Sequence, residues 1–213
     1  MIPDPAVYAA YVGTVVLLAL APGTDNVYIM TQTLARGRRA GFLAASGIAL
    51  ALCIHVTAVT LGLAQLFLNA PALYQAIRWA GIAYLVWLAW RAFRSANEAV
   101  YAIDPANDRN ARKRAQIVAQ AFTLCLLNPK LAVFFIAFLP QFADPAAGAM
   151  TVQLFALGMT FALLSLALFM GLILCVAPLG NWLRRHSAFP KWQARATGTV
   201  LGGMAVWLTL DEI

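Results

Sequence analysis

The chain alternates between long apolar tracts and short polar segments. Three tracts carry no charged side chain, at residues 5–24, 40–77 and 145–183. A helix that crosses a bilayer needs about 20 predominantly apolar residues, so the two longer tracts each exceed one helix. Asn69-Ala70-Pro71 divides the second tract, and Ala177-Pro178-Leu179-Gly180 closes the third. The pattern predicts six helices, near residues 8–34, 41–67, 72–93, 116–139, 151–176 and 194–210.

The composition indicates that these helices lie in a membrane. The 213 residues are 62% hydrophobic and 11% charged, whereas about 25% of the residues of an average soluble domain are charged. So few charges cannot cover the surface of a soluble globule, and the apolar content also excludes a disordered chain. We therefore expect an all-α integral membrane protein with a single transmembrane domain over residues 1–213.

The basic residues indicate how the helices are oriented. Thirteen of the fifteen lysines and arginines lie in three segments, at residues 36–39, 91–114 and 184–195. Because cytoplasmic loops are enriched in Lys and Arg, these segments are predicted to face the cytoplasm and both termini to lie in the periplasm. The net charge of +7 is then a topology signal, and no nucleic-acid partner is expected. Ala19-Leu20-Ala21 resembles a signal-peptide cleavage site, but no basic residue precedes the apolar run, so we expect this segment to be retained.

The two halves of the chain resemble each other faintly. Three helices per half turn the second half upside down relative to the first, which makes an inverted-topology repeat. Repeat one is placed at about residues 5–94, a cytoplasmic loop at about 95–115 and repeat two at about 116–213. Three residues of the third helix recur in the sixth at an offset of 117: Arg78, Gly81 and Trp90 match Arg195, Gly198 and Trp207.

Two of the predicted helices contain a proline near mid-span, Pro22 in the first and Pro129 in the fourth. A proline inside a helix removes one backbone hydrogen bond and clashes with the preceding turn. In lipid, a freed carbonyl costs several kcal/mol unless another group satisfies it. Two breaks at corresponding positions are typical of a transporter site built from discontinuous helices. Two ordinary helix kinks are the alternative interpretation.

Polar residues cluster at both breaks and are the candidate substrate-binding residues. A charge near the bilayer centre costs at least about 2.5–3.5 kcal/mol, so Asp25 and Lys130 need a partner or water. We expect the two to share one polar cavity and to form a switchable ion pair. The alternatives are a helix N-cap for Asp25 and a snorkelling surface residue for Lys130. The candidate set is Pro22, Gly23, Thr24, Asp25, Asn26, Asn128, Pro129 and Lys130.

The residue clusters expected of an enzyme are missing from the sequence. A hydrolase needs a nucleophile beside a base, and a metalloenzyme needs clustered ligands. His55 is the one histidine within a predicted span, where it is either a proton relay or a hydrogen-bonded packing residue. Cys53, Cys125 and Cys175 form no CxxC pair and are expected to be buried free thiols. We therefore expect no enzyme, no metal site and no cofactor.

Motifs around both breaks form an ordered set over nearly the whole chain. They are APGTDN at 21–26, ARGRRAG at 35–41, ASGIAL at 45–50, RWAGIAYL at 78–85, LNPK at 127–130 and LPQF at 139–142. This set resembles the lysine-exporter (LysE/RhtB) family, in its homoserine/threonine-resistance branch. Thr24 departs from the family, which usually has a second proline there, and Ala89 stands where a glycine is common.

The resemblance implies an exporter of amino acids or close derivatives, of homoserine, threonine or lysine type, in the bacterial inner membrane. The family is driven by the proton gradient, so protons, a small amino acid and the bilayer are the expected partners; a homo-oligomer is left open. We assign the substrate carboxylate to half-helix N-termini and Lys130, and the substrate ammonium and the exchanged proton to Asp25. An exporter of another small solute, or a channel, is the alternative function.

Overall fold

The structure is a computed structural model that describes residues 5–21, 23–63, 70–95, 114–185 and 189–210. Every regular element within these ranges is helical, and we number the α-helices in chain order. They are α1 (Pro5–Leu20), α2 (Thr24–Arg36), α3 (Arg38–Ala58), α4 (Pro71–Ser95), α5 (Arg114–Leu126), α6 (Pro129–Val133), α7 (Met150–Arg185) and α8 (Phe189–Leu210). A π-helical turn, Val59–Leu63, extends α3, and a second, Phe134–Phe138, extends α6 into the 3₁₀ turns Leu139–Phe142 and Pro145–Ala147.

The described residues contain between two and four segments that can cross a membrane. Arg38–Gly62 and Met150–Val176 are each long and apolar enough on their own. Two helix pairs qualify together although each is bent at a short break, by 52° between α1 and α2 and by 46° between α5 and α6. α4 and α8 have 25 and 22 residues, enough length for a span. Each carries an arginine among its apolar residues, Arg78 and Arg195, which lowers the mean hydropathy.

Within the described residues, helices lie near each of the six predicted positions, and two of these helices are divided where the sequence predicts a break. The predicted end of the fifth helix at residue 176 was wrong, because α7 continues to Arg185. Pro178 removes one backbone hydrogen bond, but the other N–H and C=O groups of the extended helix still pair internally. Most of the predicted cytoplasmic loop, residues 96–113, lies outside the described residues.

α3 lies at the centre of the helix packing, in contact with α2, α5 and α7. Lipid tails are as apolar as Leu, so helices associate in a membrane mainly through close packing, for which small residues are needed. Gly47 of α3 is such a residue: a Cβ there would overlap the Val118 carbonyl oxygen and lie 2.9 Å from the Ala121 Cβ. Gly158 of α7 similarly admits the Val56 side chain. Glycine therefore sets the spacing of the helices around α3.

Replacing Gly47 with alanine is expected to destabilise the fold. The new methyl group meets backbone of α5, which cannot move aside as a flexible side chain can, so we expect a loss of about 1–3 kcal/mol. The measurement is the apparent melting temperature in detergent. Gly171→Ala is the matched control, because nothing lies within 4 Å of a Cβ at that helical position. Equal melting temperatures for the two variants would contradict this packing role.

The three cysteines are free, but the expectation that all are buried was wrong. Cys125 is buried, whereas Cys53 and Cys175 are exposed on the outer surfaces of α3 and α7. An apolar helix in a membrane can present small hydrophobic side chains to lipid as readily as to its core, so apolar surroundings in the sequence do not predict burial.

Candidate functional site

The first helix break leaves backbone carbonyls that the side chain of Asn26 satisfies. α1 ends at Leu20, and α2 begins after Gly23, which is extended and supplies no side-chain cap. The Asn26 Nδ2 donates hydrogen bonds to the Ala19 oxygen at 2.9 Å and to the Ala21 oxygen at 3.1 Å. The break is therefore held by a side chain of the helix that restarts after it. Pro22, to which the sequence attributes the break, lies outside the described residues.

At the second break, Asn128 starts the new helix. Its Oδ1 accepts a hydrogen bond from the Lys130 backbone N–H at 3.1 Å, and Pro129 occupies the first helical position. Proline is favoured there because the missing N–H would have no partner within the helix. The Cys125 carbonyl, four residues before the proline, accepts instead from the Asn128 N–H at 3.0 Å. The His55 Nε2 also lies 3.4 Å from this oxygen.

The two breaks contact each other although they are about 100 residues apart in the sequence. The Asn128 Nδ2 donates to the Asp25 Oδ2 at 3.2 Å. The Lys130 Nζ donates to the Ala21 carbonyl oxygen at 3.3 Å. Thr24 Oγ1 donates to the other oxygen of Asp25, also at 3.3 Å. Asp25 and Asn128 are 7% and 5% exposed, so this polar contact is almost shielded from the surroundings of the protein.

A cavity of about 310 Å³, including the part that opens outward, lies at this junction. The polar lining consists of Gly23, Asp25, Asn26, Lys130 and Ser165. The apolar lining includes Leu18 of α1, Ile48 and Leu52 of α3, and Phe161 and Phe169 of α7.

The charges in this cavity are arranged as a close dipole. The Lys130 ammonium lies at the N-terminus of α2, so near Gly23 that a Cβ there would be 2.9 Å from the Nζ. Helix N-termini carry partial positive charge and N–H groups without partners in the helix. Asp25, in the first turn of the same helix, supplies the opposite charge. No ion pair joins Asp25 to Lys130 in the part of the chain that the structure describes, so the direct pair expected from the sequence is absent in this conformation.

Most of the residues singled out from the sequence meet at this junction. Gly23, Asp25, Asn26 and Lys130 line the cavity. Thr24 and Asn128 hydrogen-bond to Asp25, and Pro129 begins α6.

His55 does not line the cavity and lies beside the second break instead. Its ring stacks on Phe135 with centroids 5.6 Å apart, and its Nε2 faces the Cys125 carbonyl that the second break frees. These contacts are those of a hydrogen-bonded packing residue, and the proton-relay role stays a prediction.

The wall formed by α7 was missed in the sequence. Phe161, Ser165 and Phe169 follow one another at four-residue intervals and form one face of the helix. A serine near the middle of the most apolar span was the available signal. Among the described residues, no cluster of His, Cys, Asp and Glu side chains could hold a metal ion.

Comparison with known proteins identifies the family. The profile of the LysE type translocator family matches residues 16–212. The chain is 27% identical to the leucine efflux protein of Klebsiella pneumoniae subsp. pneumoniae, over 94% of this chain and 93% of that protein. It is 30% identical to the homoserine/homoserine lactone efflux protein of Salmonella typhimurium, over 82% of both chains. An uncharacterized membrane protein of Vibrio cholerae is also 30% identical, over 85% of this chain and 86% of that one.

No solved structure matches the chain significantly. The family match covers both helix breaks and every side chain named at the cavity, so the site lies within the matched residues. The chain therefore belongs to the LysE-type translocator family and is a multi-pass membrane transporter rather than an enzyme.

Proposed function

We propose that this protein exports neutral amino acids from the cytoplasm in exchange for protons. The observation that carries the proposal is the dipolar cavity between the two broken helices, with Lys130 and the α2 N-terminus beside Asp25. An α-amino acid is a zwitterion whose two charges are a few ångströms apart, so it needs such a pair of opposite sites. The efflux proteins to which the chain is similar are named for leucine and for homoserine and its lactone, and leucine and homoserine are neutral amino acids.

The substrate carboxylate is assigned to the α2 N-terminus and Lys130. Charge-assisted hydrogen bonds from an ammonium and from helix N–H groups are stronger than those between neutral groups. The substrate ammonium is assigned to Asp25 and to the Ala21 carbonyl oxygen, which Lys130 contacts in the present conformation. Binding would thus exchange the Lys130–Ala21 contact for two contacts with the substrate.

The remaining lining supports a neutral side chain on the substrate. Ile48, Leu52, Phe161 and Phe169 surround the part of the cavity contributed by α3 and α7. Asp25 is the only carboxylate among the lining residues of the described chain. A lysine side chain would bury a second ammonium there without a counter-charge, which is costly. Basic amino acids are therefore excluded from the proposed substrate class.

Proton coupling is assigned to Asp25. On the outer side, where protons enter, a proton on Asp25 removes the charge that holds the substrate ammonium, and the substrate leaves. On the cytoplasmic side, loss of that proton restores the charge and permits the next substrate to bind. One carboxylate thus serves substrate and proton in turn, which is the requirement for antiport.

We also propose the six-span inverted repeat as the architecture that carries this cycle, with both termini in the periplasm. The spans would be α1 with α2, α3, α4, α5 with α6, α7 and α8. Three helix contacts support it. The first span (α1 with α2) packs on α7, the fourth span (α5 with α6) packs on α3, and α4 packs on α8. A two-fold axis relating the repeats would exchange the first two contacts and map the α4–α8 contact onto itself. Rocking of the repeats about the cavity would expose it to each side in turn.

Counterflow in proteoliposomes tests the proposed function. Vesicles loaded with unlabelled leucine or homoserine are expected to accumulate the labelled amino acid, whereas lysine-loaded vesicles are not. An inward proton gradient should accelerate net export. Equal exchange rates for lysine and leucine would contradict the neutral substrate class. An export rate that does not change with the proton gradient would contradict antiport.

Gly23→Ala tests the carboxylate site without removing a charge. The new Cβ would lie only 2.9 Å from the Lys130 Nζ, but the end of a lysine side chain can move away, so the fold should survive. We expect the apparent affinity for leucine to fall about tenfold because the ammonium leaves the helix N-terminus. Gly13→Ala in α1 is the control, since nothing lies within 4 Å of that Cβ. Wild-type affinity in Gly23→Ala would argue against this location for the carboxylate.

A further inference from the structure

Ser165 is a buried hydroxyl group without a hydrogen-bond partner. It lies on α7, lines the cavity and is 1% exposed, and its Oγ contacts no donor or acceptor in the described part of the chain. A buried polar group that lacks a partner lowers stability, so native proteins rarely retain one without a reason. The proposed substrate cavity is the obvious place to look for the missing partner.

Other hydroxyl groups on these helices find a partner in their own backbone. Eight threonines, among them Thr33, Thr57 and Thr160, donate to the carbonyl four residues earlier. This is the usual arrangement for Ser and Thr inside helices. Ser165 does not donate to the corresponding Phe161 carbonyl, although α7 is a regular helix at this point.

Thr60 is the other buried hydroxyl of the described chain without a partner. It lies in the π-helical turn after α3, where carbonyls are displaced from their usual positions, and it does not line the cavity. The irregular backbone thus explains why the Thr60 hydroxyl lacks a hydrogen-bond partner, but it does not explain why the Ser165 hydroxyl lacks one.

The surroundings of Ser165 show which part of a substrate it would meet. The charged groups come from the breaks, on α2 and α6, whereas Ser165 lies one turn from Phe161 and one turn from Phe169 on the face of α7 that lines the cavity. A zwitterionic backbone bound by Asp25 and Lys130 directs its side chain toward this otherwise apolar wall. A single hydroxyl there can exchange a hydrogen bond with one small polar group.

We propose that Ser165 is a specificity-determining residue whose hydroxyl bonds the side-chain hydroxyl of the substrate. The inference rests on the proposed function. It assigns to this exporter a preference for hydroxylated neutral amino acids over aliphatic ones of equal size. A site that hydrogen-bonds a substrate hydroxyl discriminates against a substrate of the same shape without the hydroxyl, because the polar group of the site is then left unpaired.

Threonine and valine provide the test, because they have the same shape and differ by a hydroxyl in place of a methyl group. Competition in leucine counterflow gives their apparent affinities. In wild-type protein, threonine should compete about five- to tenfold better than valine, the effect of one neutral hydrogen bond. In Ser165→Ala the ratio should fall to about one. Ser165→Thr, which keeps a hydroxyl, should retain part of the preference, a result that a purely structural role does not predict.

Ser46→Ala is the matched control, since Ser46 is exposed on α3 and its hydroxyl bonds the Leu43 carbonyl. It should keep the wild-type ratio. Ser165→Cys, nearly the same size with a weak donor, repeats the test if the alanine variant is not stable in detergent. An unchanged ratio in both Ser165 variants, or no wild-type preference while leucine is exchanged, would overturn the Ser165 assignment alone. A wild-type protein that exchanges no amino acid would overturn the proposed function as well.

Discussion

Asp25→Asn is expected to abolish proton-driven export. The amide keeps the shape of the side chain and can still accept the Asn128 hydrogen bond, but it carries neither a negative charge nor an exchangeable proton. Losing a charge-assisted contact to the substrate ammonium should weaken apparent affinity about ten- to a hundredfold. In proteoliposomes, export should no longer respond to the proton gradient, whereas wild-type export should rise as the outer side is made more acidic.

Asp144→Asn is the matched control for this experiment. Asp144 is an exposed carboxylate whose Oδ1 accepts from the Ala146 N–H, and it does not line the cavity. It should export at the wild-type rate with the wild-type proton dependence. If Asp25→Asn did the same, Asp25 would be neither the ammonium site nor the proton carrier.

Lys130→Met is expected to weaken substrate binding through the carboxylate. Methionine keeps an unbranched apolar side chain but removes the ammonium, so the α2 N-terminus alone would bind the carboxylate. We expect apparent affinity for leucine to fall at least about tenfold in a counterflow assay. Lys130→Arg keeps the positive charge and should retain more affinity than Lys130→Met.

Leucinamide, which lacks the carboxylate, makes the Lys130 prediction specific. Wild-type protein should bind leucine far better than leucinamide. The Lys130→Met variant should lose most of this difference, because its advantage for leucine came from the ammonium. A preference for leucine that survives the substitution would show that Lys130 does not bind the carboxylate. The Asp25→Asn experiment would then test the rest of the cavity assignment.

The parts of the fold that depend on local chemistry could be predicted from the sequence. A proline within an apolar span removes a backbone hydrogen bond, and the polar neighbours of Pro22 and Pro129 strengthened that signal, so both breaks could be predicted. Pro178, through which α7 continues, shows that a proline alone does not end a helix. The proximity of Asp25 to Lys130 needed one further step: two charges in lipid need a partner or water, and the breaks that carry them were predicted at corresponding positions of the two halves. The structure brings them into one cavity, with Asn128 as the residue that contacts Asp25.

The parts that depend on which face of a helix points inward could not be predicted. A span that is apolar on every side gives no periodic signal, so Phe161 and Phe169 could not be told from lipid-facing neighbours such as Leu163. The same ambiguity explains why Cys53 and Cys175 were expected to be buried. The role of Asn26 as partner of two freed carbonyls was missed because carbonyl positions depend on the bend at the break.

The contact between Lys130 and the Ala21 carbonyl has a consequence for the empty carrier. This hydrogen bond joins the two halves of the chain, and a substrate carboxylate can replace the carbonyl, because a carboxylate is a better partner for an ammonium than a carbonyl. Substrate binding would thus remove a contact that holds the substrate-free, deprotonated protein in one state. We therefore expect an exporter without substrate not to dissipate the proton gradient, because net proton entry requires export of a substrate molecule.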